Sequence, residues 1–500
     1  MNDYDQFILY WRETSVLGSC SALLGWDERT YMPPAGSRFR ADQIALLARL
    51  IHERVTHPRV GAWLESLSTG SLNDEQLANV REIRRSYERA IRVPARLVEE
   101  LARTTTQAQQ VWVEARAASD FRRFLPWLEK ILALKKEEAD ALGYSEHPYD
   151  ALLEEYEPGA TTRLIREIFA GLAQALTPLV ARIVEASKKP DTSILHRSFP
   201  VDAQERFGRR VAEALGFNFQ SGRLDVTTHP FCSGIGPGDC RITTRYNPSF
   251  FNEGFFGIVH ECGHGIYEQN LPAEHFGTPL GTACSLGIHE SQSRLWENFV
   301  ARSPEFWEFY FPEAQQSFPC LRDVRADDFV FAINNVGRSL IRVEADEVTY
   351  NLHIILRFEL EQQLIRGDLR PADVPDCWNE GFGKLFGIHP PNDAQGCLQD
   401  IHWSFGGFGY FPTYALGNLY AAQFIEAAHR DLGVNDLRSD FRHGQFSRLR
   451  DWLTDRIHRH GQRYRADQLC QLVTGAPLSY EPFMRYLREK YCRLYEVSPD

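Results

Sequence analysis

The chain has 500 residues, 43% of them hydrophobic, which is ample for a sizeable core and for about two to four domain-sized units. Its 67 acidic against 55 basic residues leave a net charge of −12. That balance argues against a nucleic-acid partner, because a phosphate backbone calls for a basic stripe that displaces counterions. The first residues, MNDYDQFILYWRETS, carry acids where a secretory leader carries Lys or Arg. No stretch approaches the ~18–20 uninterrupted apolar residues of a bilayer span, so no membrane partner is expected. The ten cysteines are scattered without a C-x-x-C pair, and the expectation is a cytoplasmic protein with reduced thiols.

In chain order, the first 190 residues read as successive helices. RADQIALLARLIHERV puts Ile44, Leu47 and Ile51 on one stripe, widened by Leu46 and Leu50. FLPWLEKILALKKEEADALG follows, with Leu128, Ile131, Leu132 and Leu134 behind Pro126 and with Gly143 placed to end the helix. After the turn YEPGATT another helix begins, with Thr161 or Thr162 as its N-cap. Between Lys188 and Tyr246 the texture turns to Gly, Pro and Thr, and CRITTRY alternates as a short strand does. Helices resume at Gly254. Near the C-terminus, RIHRHGQRYR (Arg456–Arg465) is locally basic and reads as a solvated face. The expected fold is mostly α, with a deep central cleft and a small β element near the functional site. The expected organisation is one unit over residues 1–500. Residues 1–190 form a helical part covering the cleft, and residues 191–500 carry the motifs.

The motif that carries chemistry is HECGH. His260 and His264 are one helical turn apart, so their Cβ atoms lie about 5–6 Å from each other and both rings can reach one ion. Glu261 projects beside the pair, where it can take a proton from water instead of binding the ion. A catalytic zinc uses three protein ligands and leaves a position open. The third ligand is sought in GIHESQSRLWENF, where Glu290 can fold back after the Pro- and Gly-rich turn LPAEHFGTPLG. An ion pair between Glu290 and Arg294 is the competing reading. His289 is placed as a partner that orients the ligands. Gly263 and Gly265 each cost roughly 1 kcal/mol inside a helix, which suggests either close approach by another backbone such as the CRITTRY strand or simple packing glycines. Cys262 falls off the histidine face and reads as a small buried group.

These residues resemble the carboxypeptidase Taq family of thermostable zinc metallocarboxypeptidases. The likeness rests on HECGH at His260, HESQ at His289, DCRIT at Asp239, IRVEAD at Ile341 and GCLQDIHW at Gly396. LLGWDERTYMPP, YDALLEEYEPG and YEPFMRYLREKY extend it over essentially the whole chain. The resemblance implies Zn2+ on His260, His264 and Glu290, with Co2+ as a possible substitute. It also implies Glu261 as general base, a mostly helical fold with a deep cleft, and a homodimer acting on peptide substrates with a free C-terminal carboxylate.

Exopeptidase specificity then calls for a cation facing that carboxylate. The planar fork of arginine suits it, and Arg241 in DCRIT and Arg342 in IRVEAD are the candidates, with Asp239 as a supporting partner. The tetrahedral oxyanion needs a donor. His402, Tyr410 and Tyr414 in DIHWSFGGFGYFPTY are the candidates for that role. The rival reading is an endopeptidase using the same HExxH chemistry.

Overall fold

A computed structural model describes residues 2–68 and 71–499. Among the described residues the chain is mostly helical, with one three-stranded sheet, as the sequence leads one to expect. Several helix ends fall where the local chemistry puts them. Asp120 caps the helix Phe121–Leu142 by accepting from the Arg123 amide, and Gly143 closes it at φ 83°. Thr161 is the N-cap of Thr162–Glu185, while the Thr162 side chain donates to Asp150.

The chain divides into two compact units. The first comprises Met1–Ile91, Pro190–Ile333 and Phe424–Pro477; the second comprises Arg92–Lys189, Asn334–Gln423 and Leu478–Asp500. One crossing, at Lys189–Pro190, coincides with the change of texture in the sequence. Residues 1–190 are thereby shared between the two units.

In the first unit, Phe7, Val60, Trp63, Leu64, Val80 and Ile83 build a core among the N-terminal helices. The stripe on the helix Ser37–Val55 is only half-buried, and Leu46 and Phe39 lie open to solvent. A second core of aromatic rings (Phe199, Phe207, Phe251, Phe255, Trp307, Phe318 and Phe329) grips the start of the helix Phe251–Gln269. Rings of this size dominate core energetics and fix the helix by edge and face contacts.

The sheet is built from β1 (Gly222–Val226), β2 (Cys232–Gly236) and β3 (Asp239–Thr244), in the order β1-β3-β2. β3 pairs parallel to β1 and antiparallel to β2. Its alternation buries Cys240 and Ile242 and leaves Asp239 and Arg241 on the other face. Thr244 donates to the Gly254 carbonyl, which seats β3 on the HECGH helix. The basic run near residue 460 keeps its arginines at the surface and turns His458 inward. Arg456, Arg459 and Arg463 pair with Asp431, Asp455 and Glu75, and His458 is fully buried, bonded to Gln292.

In the second unit the helix Tyr350–Arg366 is apolar or packed on nearly every side and ends at Gly367, φ 94°. Thr162–Glu185 is long and apolar enough by composition to cross a membrane. One side of it, Ile165, Phe169, Leu172, Leu176, Leu179 and Ile183, is buried within the unit.

Candidate metal centre

All three expected ligands lie in the first unit and converge. His260 and His264 sit on the helix Phe251–Gln269, their ring centroids 4.9 Å apart. Glu290 comes from the helix Leu286–Arg294, which Ser285 caps. Its Oε2 is 3.7 Å from Nε2 of His260 and 3.4 Å from Nε2 of His264. The three donor atoms lie within 4.8 Å of one another, a set that suits one small divalent cation.

Backbone proximity makes this possible. A Cβ at Gly263 would lie 2.6 Å from both the Gln292 carbonyl oxygen and the Ser293 Cα, so the missing side chain lets the Glu290 helix close on the motif helix. The expected close approach is real, but the approaching backbone is that helix and not β3. Gly265 faces β3 instead, where the rings and methyls of Phe217 and Ile242 fill the space.

Side-chain partners prepare the donors. His260 Nδ1 lies 3.0 Å from Glu297 Oε2. A carboxylate only accepts, so the Nδ1 proton belongs to that bond and the Nε2 lone pair faces Glu290. Burial by itself depresses the His260 pKa, but Glu290 and the bond to Glu297 raise it above the ordinary value. Burial, with His289 next to it, pushes His264 down to about 3, so that ring is a neutral donor. Its Nδ1 is buried with no partner among the described residues. Burial opposes ionisation of Glu290 and Glu297. Arg294 leads the charges that overcome it, and both carboxyls stay well below the usual range. Arg294 bonds both of them, at 2.7 Å to Glu290 and 3.2 Å to Glu297, and Arg302 adds a further bond to Glu297. The Glu290–Arg294 ion pair uses Oε1 and leaves Oε2 facing the two histidines.

Glu261 is buried beside this set, and burial pushes its carboxyl up to about 7. His289 stacks on His264 at 4.4 Å and bonds Glu268 at 2.9 Å. The stack places His289 against one of the two motif rings, and the bond ties it to a glutamate that the sequence did not single out. Cys262 is fully buried and donates weakly to the Ala212 carbonyl, away from the ligand set.

The proposed substrate residues are placed as follows. Arg241 and Asp239 form a two-bond pair, 2.8 Å each, and the guanidinium lies 4.2 Å over the Trp26 ring. Arg342, Arg357 and Asp400 form a buried cluster in the second unit. There Arg342 bonds Asp400 and Tyr350, and none of the nearby acids Glu344, Asp346 and Glu347 takes it. In the same unit His402 Nε2 is 3.3 Å from the Tyr414 hydroxyl, and Tyr410 packs 5.3 Å from Tyr414. Burial holds His402 at about 3, hence neutral.

Fold and ligand set together define a helical metallopeptidase. The chain matches the family described as Carboxypeptidase Taq (M32) metallopeptidase over residues 6–491. It is 50% identical over 506 aligned residues to Thermostable carboxypeptidase 1 of Thermus thermophilus, covering 98% of this chain and 99% of that protein. It is 40% identical over 477 residues to Carboxypeptidase 1 of Bacillus subtilis, covering 95% of each. The solved M32 carboxypeptidase from Deinococcus radiodurans R1 has a TM-score of 0.96 at 41% identity, covering 99% of this chain and 100% of that one. The chain belongs to the carboxypeptidase Taq (M32) family and is a metallocarboxypeptidase, a hydrolase of peptide bonds.

Proposed function

We propose that the native cation is Zn2+, with Co2+ able to replace it, and that the enzyme releases single amino acids from peptide C-termini with broad specificity. The observation that carries the zinc reading is the donor chemistry: two imidazole Nε2 atoms and one carboxylate oxygen within 4.8 Å. Bound there, the cation supplies Lewis acidity toward water and the scissile carbonyl. Glu261 accepts a proton from the attacking water as the new C–O bond forms. It then delivers that proton to the amine nitrogen as the C–N bond breaks, leaving a shortened peptide carboxylate and a free amino acid. Glu297 keeps His260 in the tautomer that offers Nε2.

Arg241 or Arg342 is proposed to receive the substrate carboxylate, and His402, Tyr410 or Tyr414 to donate to the oxyanion. The contact of His402 Nε2 with the Tyr414 hydroxyl at 3.3 Å, beside the Tyr410 ring, supports the second assignment by grouping the three candidate donors. A homodimer is supported by the helix Asp3–Thr30, which exposes Leu9, Val16 and Leu23 at seven-residue intervals, and by Phe39 and Leu46 on the next helix. A cytoplasmic location is supported by ten free cysteines.

The deciding experiment measures zinc content and amino-acid release from a peptide ladder for wild type and Glu261→Gln. Retained zinc with turnover reduced ~10²–10⁴-fold is expected for a general base. Turnover preserved in Glu261→Gln, or active enzyme that holds no zinc, defeats the reading.

A further inference from the structure

The second unit contains a concave site with an unusual charge for so acidic a chain. His147, Arg166, Gln362, Gln363, Arg366 and Asp368 line a cavity of about 240 Å³. That is the size of an ion or a very small molecule, well below the usual room for a drug-sized ligand.

His147 and Gln362 line it from buried positions, while Arg166, Gln363, Arg366 and Asp368 form its exposed rim. Arg166 Nε bonds Gln362 Oε1 at 2.9 Å, and Nη2 reaches the same oxygen. No carboxylate lies within 4 Å of the Arg166 guanidinium among the described residues, so its charge is not neutralised locally, and Nη1 has no protein acceptor there. Gln362 is only 6% exposed and uses its oxygen on Arg166, which leaves its amide nitrogen as a donor without a protein partner among the described residues. His147 is 8% exposed and accepts from the Tyr149 amide through Nδ1 at 3.1 Å. Its neutral ring therefore carries the proton on Nε2. Arg366 adds a second cation, held only by a half-exposed contact to Asp368 at 3.3 Å. Gln363 gives its amide nitrogen to the Glu359 carbonyl, which leaves its Oε1 as an acceptor at the exposed rim.

We propose that this cavity is a binding site for a small oxyanion, either a phosphate or the carboxylate of a free amino acid. The uncommitted side-chain groups of His147, Arg166, Gln362 and Arg366 are donors, set against the acceptors Gln363 Oε1 and Asp368 on the rim, and two of those donors belong to side chains more than nine-tenths buried. An oxyanion satisfies them together, because charge-assisted bonds from a guanidinium fork, an amide and an imidazole N–H converge on oxygens that only accept. Asp368 on the rim offers a place for the ammonium of an amino acid.

The site is tested by calorimetric titration of the full chain with potassium phosphate and with leucine, at ionic strength fixed with chloride. Saturable phosphate binding with Kd on the order of 1 mM is expected, weakened tenfold or more in Arg166→Gln. Arg366→Ala provides a second variant at an exposed position, where folding is not at issue, and it is expected to weaken binding as well. Leucine competing with phosphate identifies the amino-acid carboxylate as a ligand, and phosphate binding without competition identifies the tetrahedral oxyanion; both uphold the site. No saturable binding of either compound, or equal affinity in wild type and both variants, overturns it.

Discussion

Glu297 lies 3.0 Å from Nδ1 of His260, and Arg294 links the same carboxylate to Glu290 on the preceding turn of chain. One guanidinium thus fixes both the carboxylate that faces the two motif rings and the carboxylate that holds one of those rings. Glu297→Gln keeps the shape but offers His260 an amide that can also donate, so the Nδ1–H tautomer is no longer enforced. Metal affinity is expected to fall about 10–100-fold, read by competition with a chromogenic chelator. Unchanged affinity would remove Glu297 from this role.

Gly263→Ala tests the approach of the two site helices. The added methyl meets backbone atoms at 2.6 Å, which cannot rotate away as a side-chain tip can. A loss of about 1–3 kcal/mol in unfolding free energy is expected, as for other overpacked cores. Metal affinity should fall with it, because Glu290 moves with its helix. Gly265→Ala meets side chains instead, so it is expected to cost stability while sparing metal affinity.

Asp400 sets an acid limit on the second unit. Burial disfavours its ionisation, but Arg342 and Arg357 overcome burial and hold the carboxyl far below the ordinary carboxylate range. A carboxyl depressed in the folded state stabilises above its unfolded pKa and loses that contribution as pH falls through the folded one. Denaturant unfolding should therefore show stability declining below about pH 4. Asp400→Asn should lose about 3–5 kcal/mol at neutral pH, since two buried guanidinium groups lose their counter-charge. That part of the acid dependence should vanish in the variant.

The open apolar stripe predicts an association state. Val16→Glu introduces a charge at the middle of Leu9, Val16 and Leu23 without touching a buried residue, Val16 being 49% exposed. Sedimentation equilibrium should find the wild type dimeric and the variant largely monomeric. A wild type that stays monomeric at micromolar concentration counts against this face.

The converging trio His260, His264 and Glu290 was legible in the sequence because its spacing is local: i and i+4 on one helix, then a glutamate after a turn. Helix caps at Asp120, Gly143 and Thr161 follow equally local rules. What escaped depends on contacts between distant stretches. Asp400 takes Arg342 from 58 residues away, although three acids stand closer in sequence. Glu268 reaches His289 across the intervening turn. Glu297 did carry a local signal, lying seven residues past Glu290 with Arg294 between them, in register on one helical face. The half-exposure of the Ile44 stripe was hidden because periodicity reports that a face is apolar and says nothing of what covers it.

The division of the chain has a consequence for how the protein is made. The first unit lacks Phe424–Pro477 until nearly all of the chain has been synthesised, and the second lacks its last segment until the very end. At a ribosomal pace of about 5–20 residues per second, the N-terminal helices wait on the order of 20–80 s for the residues that complete their unit. Aromatic surface such as Phe306 and Tyr310, whose rings pack on Phe446, stays open for part of that interval. Nascent chains stalled before residue 424 should accordingly be the ones that chaperones hold and proteases clip.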